Sequence, residues 1–432
     1  MRGVEVSDDT TPEPKTHPRG IARLWRAVGP GVISGAADDD PSGIATYSIA
    51  GAQFGTALLW TSLLTWPLMA AVQSMCARIG MVTGRGLMSA LRQKFPRPVL
   101  IVAAVALFVA NTINVGADLS GMADAAHLLV GGNVHMWVIA FGVLIGLVTI
   151  RIRYVTLASA LKWLALVLFA YIADAFIVGF DWREVLQQTI VPSLPHGSDM
   201  WGMLVAILGT TISPYLFFWQ ASQEVEEEKS KGRVTIAERM GATPLEIRTR
   251  KIDVAAGTLF SNLVMFFIIL SAAVTLHAHG ITHPDSSRQV AEALTPLAGR
   301  FASLLYTVGL VGTGALAIPT LAGSAAYAFA EIFGWKQGMD ERYPKAPAFY
   351  SVFAISIVFG IALDFINVNP VRALYLTAVL NGLLAPFLLI GILIVASDSK
   401  LMVGQPSSKL GISVVAFTTL AMFAAAIGMF VL

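Results

Sequence analysis

The run Asp38-Asp39-Asp40-Pro41-Ser42-Gly43 constrains this chain more than any other feature, because it lies about midway along an otherwise apolar segment from Gly29 to Leu59 that is long enough to cross a bilayer. An ionised carboxylate near the bilayer centre costs about 3 kcal/mol on insertion scales, so such residues face a cavity, a partner or a cation. Pro41 removes a backbone donor and Gly43 admits non-helical dihedrals, so the segment is expected to break here. Unwound backbone is tolerated at membrane depth only where it lines protein or a water-filled site, and many secondary transporters build ion sites from such breaks.

The rest of the chain fits a membrane setting. With 56% hydrophobic and 13% charged residues it is too apolar for a soluble globular protein of 432 residues, and it reads as an all-α polytopic membrane protein. Apolar runs of roughly 17 to 25 residues predict about eleven spans, starting near residues 29, 56, 98, 132, 154, 200, 253, 301, 347, 372 and 410. Residues 1–24 are expected to form a disordered cytoplasmic tail, with no signal-peptide core, and 25–432 a single transmembrane domain. Basic residues concentrate in connections of one parity, above all Lys229, Lys231, Arg233, Arg239, Arg248, Arg250 and Lys251 between spans six and seven. The positive-inside rule then puts the N-terminus in the cytoplasm and the C-terminus outside. The single cysteine, Cys76, excludes an internal disulfide and a thiolate metal cluster, and its apolar surroundings suit a buried inert thiol. No charge pattern suggests a nucleic-acid surface, and no nucleotide-binding loop, HExxH or nucleophile with a base points to an enzyme.

A second interruption, Gly209-Thr210-Thr211-Ile212-Ser213-Pro214-Tyr215, falls at the matching depth of span six. Ordinary proline kinks would explain either break alone. A matched pair beside three acids instead points to an inverted repeat, with spans one to five (about 29–180) and six to ten (about 200–396) as the halves and the eleventh (about 410–432) appended. Asp40 or Ser42 is expected to cap the second half of span one, and Ser213 to cap a helix whose first residue is Pro214. The stretch Ser222 to Lys251 reads as a solvated cytoplasmic helix with ion pairs, a regulatory metal site being the alternative. His277, His279 and His283 lie close together outside, but spacing alone does not make a zinc site.

Gly29-Pro30-Gly31, then Asp40-Pro41-Ser42-Gly43-Ile44-Ala45-Thr46, then Gly51-Ala52-Gln53-Phe54-Gly55 and Leu58-Leu59-Trp60 closely resemble the opening of the natural resistance-associated macrophage protein (NRAMP) family. Ser213-Pro214-Tyr215 stands where that family has M-P-H, Ala117-Asp118-Leu119 where it has T-D-L, and Thr320-Leu321-Ala322-Gly323 with Glu331 is similar to its eighth helix. The resemblance, over about residues 25 to 396, implies a LeuT-like fold with helices one and six broken and an integral protein of the bacterial inner (plasma) membrane that imports a divalent metal cation with protons. The metal is then cargo, and no resident cofactor is implied.

Carried over by position, the resemblance makes Asp40 the metal-ligating carboxylate, Thr210 the backbone-carbonyl ligand and Asp118 a member of the proton path. Gly43 replaces the family's D-P-G-N asparagine, Ser213 its methionine, Tyr215 and Gln220 its two helix-six histidines in the substrate vestibule, and Gly121 its helix-three glutamate. Losing a thioether at Ser213 hardens the site, and losing a side chain at Gly43 leaves room for water, which suits Mg²⁺ or Mn²⁺. Asp38 and Asp39 add negative potential as auxiliary acids. The NRAMP-related magnesium transporters are the suggestive comparison. Asp118 could instead be an acid that only hydrogen-bonds a neighbour, with uncoupled entry driven by membrane potential at about 2.3 kcal/mol per charge per 100 mV. A LeuT-like carrier of a small organic solute and a non-transporting membrane sensor are the competing classes.

Overall fold

Asp40 and Ser213, the residues expected to mark the two breaks, each stand immediately before a helix in the computed structural model, which describes residues 35, 37–152, 156, 166–178, 180–194, 198–366 and 368–431. The helices that matter are α1 (Pro41–Phe54), α2 (Trp60–Thr83), α3 (Arg97–Val130), α4 (Val134–Arg151), α5 (Phe169–Val178), α6 (Ser198–Thr211), α7 (Pro214–Ser230), α8 (Pro244–Thr275), α9 (Ala302–Phe333), α10 (Pro347–Asp364), α11 (Pro370–Ser397) and α12 (Lys409–Val431). Among the described residues no strand occurs. Among the described residues eight helices are long and apolar enough to cross a membrane, or nine when Pro41–Leu58 and Trp60–Thr83, which meet at 109°, count as one span. The expected tail, the start of span one and much of span five lie outside the described residues.

Local sequence explains the helix ends. Proline follows the cap at α1, α7, α8, α10 and α11, where its missing N–H costs nothing. Thr243 and Glu246 form a capping box at the start of α8. Asp199–Ser230 runs on as one span through the break of span six, whereas the chain turns sharply after α1.

The packing order follows the repeat. α1 lies along α8, and its counterpart in the second half, α7, lies along α2, the counterpart of α8. α3 packs on α9, which stands third in its own half as α3 does in the first. Such exchanged pairs are what two halves related by a pseudo-two-fold axis require. Small residues permit the contacts: a Cβ on Gly80 of α2 would sit 2.5 Å from the Ala221 carbonyl of α7.

One expectation is corrected here. Ser222 to Lys251 is not one solvated helix: it comprises the end of α7, a short helix Ile236–Arg239 and the start of α8; most of residues 230–251 are exposed and the expected ion pairs form, but Glu224, Glu228 and Arg239 within it are buried. Arg250 joins Glu224, Glu227 and Asp253, while Arg233 joins Glu228 and Glu246. The charges were legible, but a run that packs between two spans has the same composition as one facing water.

Candidate functional site

Asp40 builds the site from its own backbone position. It is the N-cap of α1, with φ −70° and ψ 171°, and its Oδ1 accepts from the Gly43 N–H at 2.8 Å and from Ser42 Oγ at 2.6 Å. The positive end of α1 therefore faces this carboxylate. Its other oxygen accepts from Asn114 Nδ2 of α3 at 3.1 Å, and the same nitrogen lies 3.3 Å from Asp118 Oδ2, one turn along α3. Asp40 and Asp118 thus share one amide, and both are buried. Their shared donor was missed in the sequence, although the four-residue spacing of Asn114 and Asp118 puts them on one helix face.

The three acids diverge. Asp38 and Asp39 turn to α8, where the Ser261 hydroxyl reaches Asp38 Oδ2 at 2.7 Å and Asp39 Oδ1 at 3.0 Å. Among the described residues no three His, Cys, Asp or Glu side chains stand together as a ligand set, and this includes His277, His279 and His283 and the acids of Ser222 to Lys251. His277 and His279 engage the carbonyls of Ala52 and Thr275 through Nδ1.

Span six closes the other side. Ser213 occupies the N-cap position of α7 but makes no capping hydrogen bond; its hydroxyl turns back to the carbonyls of Gly209 at 2.8 Å and Thr210 at 2.7 Å. The Thr210 carbonyl keeps one lone pair for another partner. Nor does Gly43 open a void, since a Cβ there would sit 3.1 Å from Thr210 Oγ1 and 3.4 Å from the Tyr47 ring. The two broken spans meet at this point, so a side chain on residue 43 would have to push the Thr210 hydroxyl aside by a few tenths of an ångström. Tyr215 donates its hydroxyl to the Ala37 carbonyl at 3.1 Å, tying α7 to the chain before the first break. Gln220 donates to Glu224 at 2.7 Å, which engages it in the inner ion-pair network.

The decisive electrostatic feature is an excess of buried acceptors. Asp38 Oδ1, Asp39 Oδ2, Asn114 Oδ1, Asp118 Oδ1, Gln220 Oε1 and Asn381 Oδ1 are each shut off from solvent with no hydrogen-bond donor among the described residues. Asn381, also missed in the sequence, lies two turns along α11 from Leu374, which packs on Ala45 of α1 and Ala117 of α3. Buried acceptors without donors are rare and call for a cation, a proton or water.

Residues 31–432 match the model of the natural resistance-associated macrophage protein-like family. The chain belongs to that family. Among relatives, it is 28% identical over 407 residues to a divalent metal cation transporter MntH of Verminephrobacter eiseniae, covering 92% of this chain and 87% of that one. A transporter of the same name from Acidiphilium cryptum is 27% identical over 87% of this chain and 83% of its own. These relatives are membrane carriers rather than enzymes, and this Nramp-like chain is an integral membrane protein. A crystal structure of the Eremococcus coleocola manganese transporter shares the fold, with a TM-score of 0.73 at 17% identity over 96% of this chain and 90% of that one. Mhp1, a nucleobase-cation-symport-1 family transporter, shares it more distantly, with a TM-score of 0.53 at 16% identity over 93% and 90%. The Nramp-like chain therefore has the LeuT-like fold that the family resemblance implied.

Proposed function

We propose that this Nramp-like chain is a secondary transporter that imports a hydrated hard divalent cation, Mg²⁺ or Mn²⁺, through a site between the breaks of spans one and six. The observation that carries the reading is the pair of buried oxygens without donors, Asn114 Oδ1 and Asp118 Oδ1, on the two residues that the shared amide links to Asp40. Both are oxygens, the donor type that hard cations prefer. That the MntH relatives are divalent metal cation transporters supports a divalent metal as the cargo.

In this reading Asp40 supplies the charge and the Thr210 carbonyl a neutral oxygen. Ser213 orients that carbonyl through its hydrogen bond rather than ligating. With few protein ligands the ion keeps several waters, as Mg²⁺ usually does. Asp118 takes the proton of a metal–proton symport, and the Asn114 bridge couples it to Asp40 because one amide cannot satisfy two carboxylates equally when only one is charged. Asp38 and Asp39, held on Ser261, keep the local potential negative. Spans one to five and six to ten form the two halves, with the N-terminus cytoplasmic and the C-terminus outside.

Uptake by the purified chain in liposomes tests this. Mg²⁺ or Mn²⁺ is expected to enter, faster when the outside is acidified, and to carry protons inward. Transport of Cd²⁺ without Mg²⁺ or Mn²⁺ would contradict the hard site, and metal entry without proton movement would contradict symport.

A further inference from the structure

Where α4 ends and α10 begins, a cavity of about 430 Å³ opens among Arg151, Asp340, Glu341, Arg342, Lys345 and Tyr350. We propose that it binds the phosphate headgroup of an anionic phospholipid.

Charge comes first. Arg151, Arg342 and Lys345 line the cavity and make no ion pair among the described residues. Of the two acids, Glu341 already faces Lys336 at 3.6 Å. The wall therefore carries three uncommitted cations against Asp340, which has a partner of its own. The loop is also fixed in shape, since Tyr350 donates its hydroxyl to the Glu341 carbonyl at 2.7 Å and Tyr327 accepts from the Met339 N–H at 3.0 Å. Three cations held around one cavity match a phosphodiester, and two of them are arginines that can bind it bidentately.

Position selects a lipid over a free anion. Along α4 from Arg151, Leu147 lies about one turn and Leu144 about two turns away, and both are more than half exposed. Along α10, Ile355, Val358 and Phe359 are likewise exposed, two to three turns from its start. The two helices pack together, so these apolar faces descend side by side from the cavity. Exposed Tyr343, whose ring centroid lies 6.1 Å from that of the lining residue Tyr350, flanks it, as aromatic residues do at headgroup depth. Basic pockets between spans at this depth are where anionic headgroups bind.

Native mass spectrometry of the full chain in detergent tests the site, with phosphatidylglycerol, phosphatidylcholine and inorganic phosphate as separate probes. One phosphatidylglycerol is expected to bind at least about tenfold more tightly than phosphatidylcholine. Single Lys345→Gln is expected to weaken it about fivefold and Arg151→Gln/Arg342→Gln/Lys345→Gln about a hundredfold, at roughly fivefold per cation removed. Arg342→Lys/Lys345→Arg, which keeps the charge, is expected to stay within about threefold of the wild type. Equal phosphatidylglycerol binding by wild type, Lys345→Gln and the triple variant would overturn the site. Equal binding of phosphatidylcholine would overturn its charge selectivity, and inorganic phosphate competing at the same concentration would overturn the lipid assignment.

Discussion

Asn114 Nδ2 lies 3.1 Å from Asp40 Oδ2, and the same nitrogen reaches Asp118, so one buried amide spans the acid on the first break and the acid on α3. Removing the bridge should therefore separate metal binding from proton movement. Asn114→Leu is expected to raise the KM for Mn²⁺ about tenfold or more, the scale of a hydrogen bond to a charged group at about 1.5–3 kcal/mol. It should also flatten the dependence of uptake on outside pH, as flux in liposomes between pH 5.5 and 7.5 would register. A KM and pH profile like those of the wild type would show that the bridge is only structural.

Gly43 and Thr210 meet where the two broken spans cross. Gly43→Ala places a methyl 3.1 Å from Thr210 Oγ1, tighter than most such contacts, and is expected to slow uptake severalfold. Thr210→Ala removes that oxygen, so the double variant should recover much of the loss, and a double-mutant cycle on flux measures the coupling. Additive losses would mean that the two residues do not touch during transport.

The hardness of the site can be reversed chemically. Ser213→Met restores a soft donor beside the Thr210 carbonyl and removes the hydroxyl that orients it. Isothermal titration is expected to show Cd²⁺ gaining about tenfold in affinity relative to Mg²⁺. An unchanged preference would place Ser213 outside the reach of the ion.

Much of this arrangement was legible in the sequence, for reasons that stay local. Pro41 and Pro214 announce helix starts, acids at mid-span demand a partner, and glycine beside them permits the break. What was not legible depends on contacts between distant residues. Asp38 and Asp39 are held by Ser261, more than two hundred positions away, so three adjacent acids looked like one cluster. Asn114 was missed because an amide in an apolar helix carries no sign of which neighbour it faces. Ser213 was expected to cap α7, yet helix-six carbonyls three and four residues back compete for its hydroxyl and win.

Tyr215 and the Ala37 carbonyl hold α7 against the chain before the first break. Tyr215→Phe removes one hydrogen bond of about 1 kcal/mol, which is about fivefold in an opening equilibrium. Cys76 is the single cysteine and is buried, so Ala37→Cys in a Cys76→Ala background offers one clean probe. Labelling of Cys introduced at Ala37 by a small thiol reagent is expected to quicken about fivefold with Tyr215→Phe. Labelling at the same rate would mean that this contact does not restrain opening.

Outside the membrane-spanning segments, Asp398 follows α11 and is held at about 2 by hydrogen bonds from the Lys94 ammonium and from the backbone N–H groups of Leu401 and Lys400. Its ordinary value is about 3.9. A depressed carboxyl stabilises the fold above about pH 4 and loses that contribution as pH falls towards 2. Asp398→Asn is therefore expected to lower Tm at pH 7 by an amount that shrinks below pH 4. A difference independent of pH would assign the effect to packing.

Asp40→Asn tests the central claim most directly, because asparagine keeps the N-cap acceptor for Gly43 while removing the charge. Initial Mn²⁺ and Mg²⁺ uptake into liposomes is expected to fall about tenfold or more, at least 1.4 kcal/mol, with Tm preserved. Uptake of both ions at the wild-type rate by a folded Asp40→Asn protein would contradict a cation site at the first break.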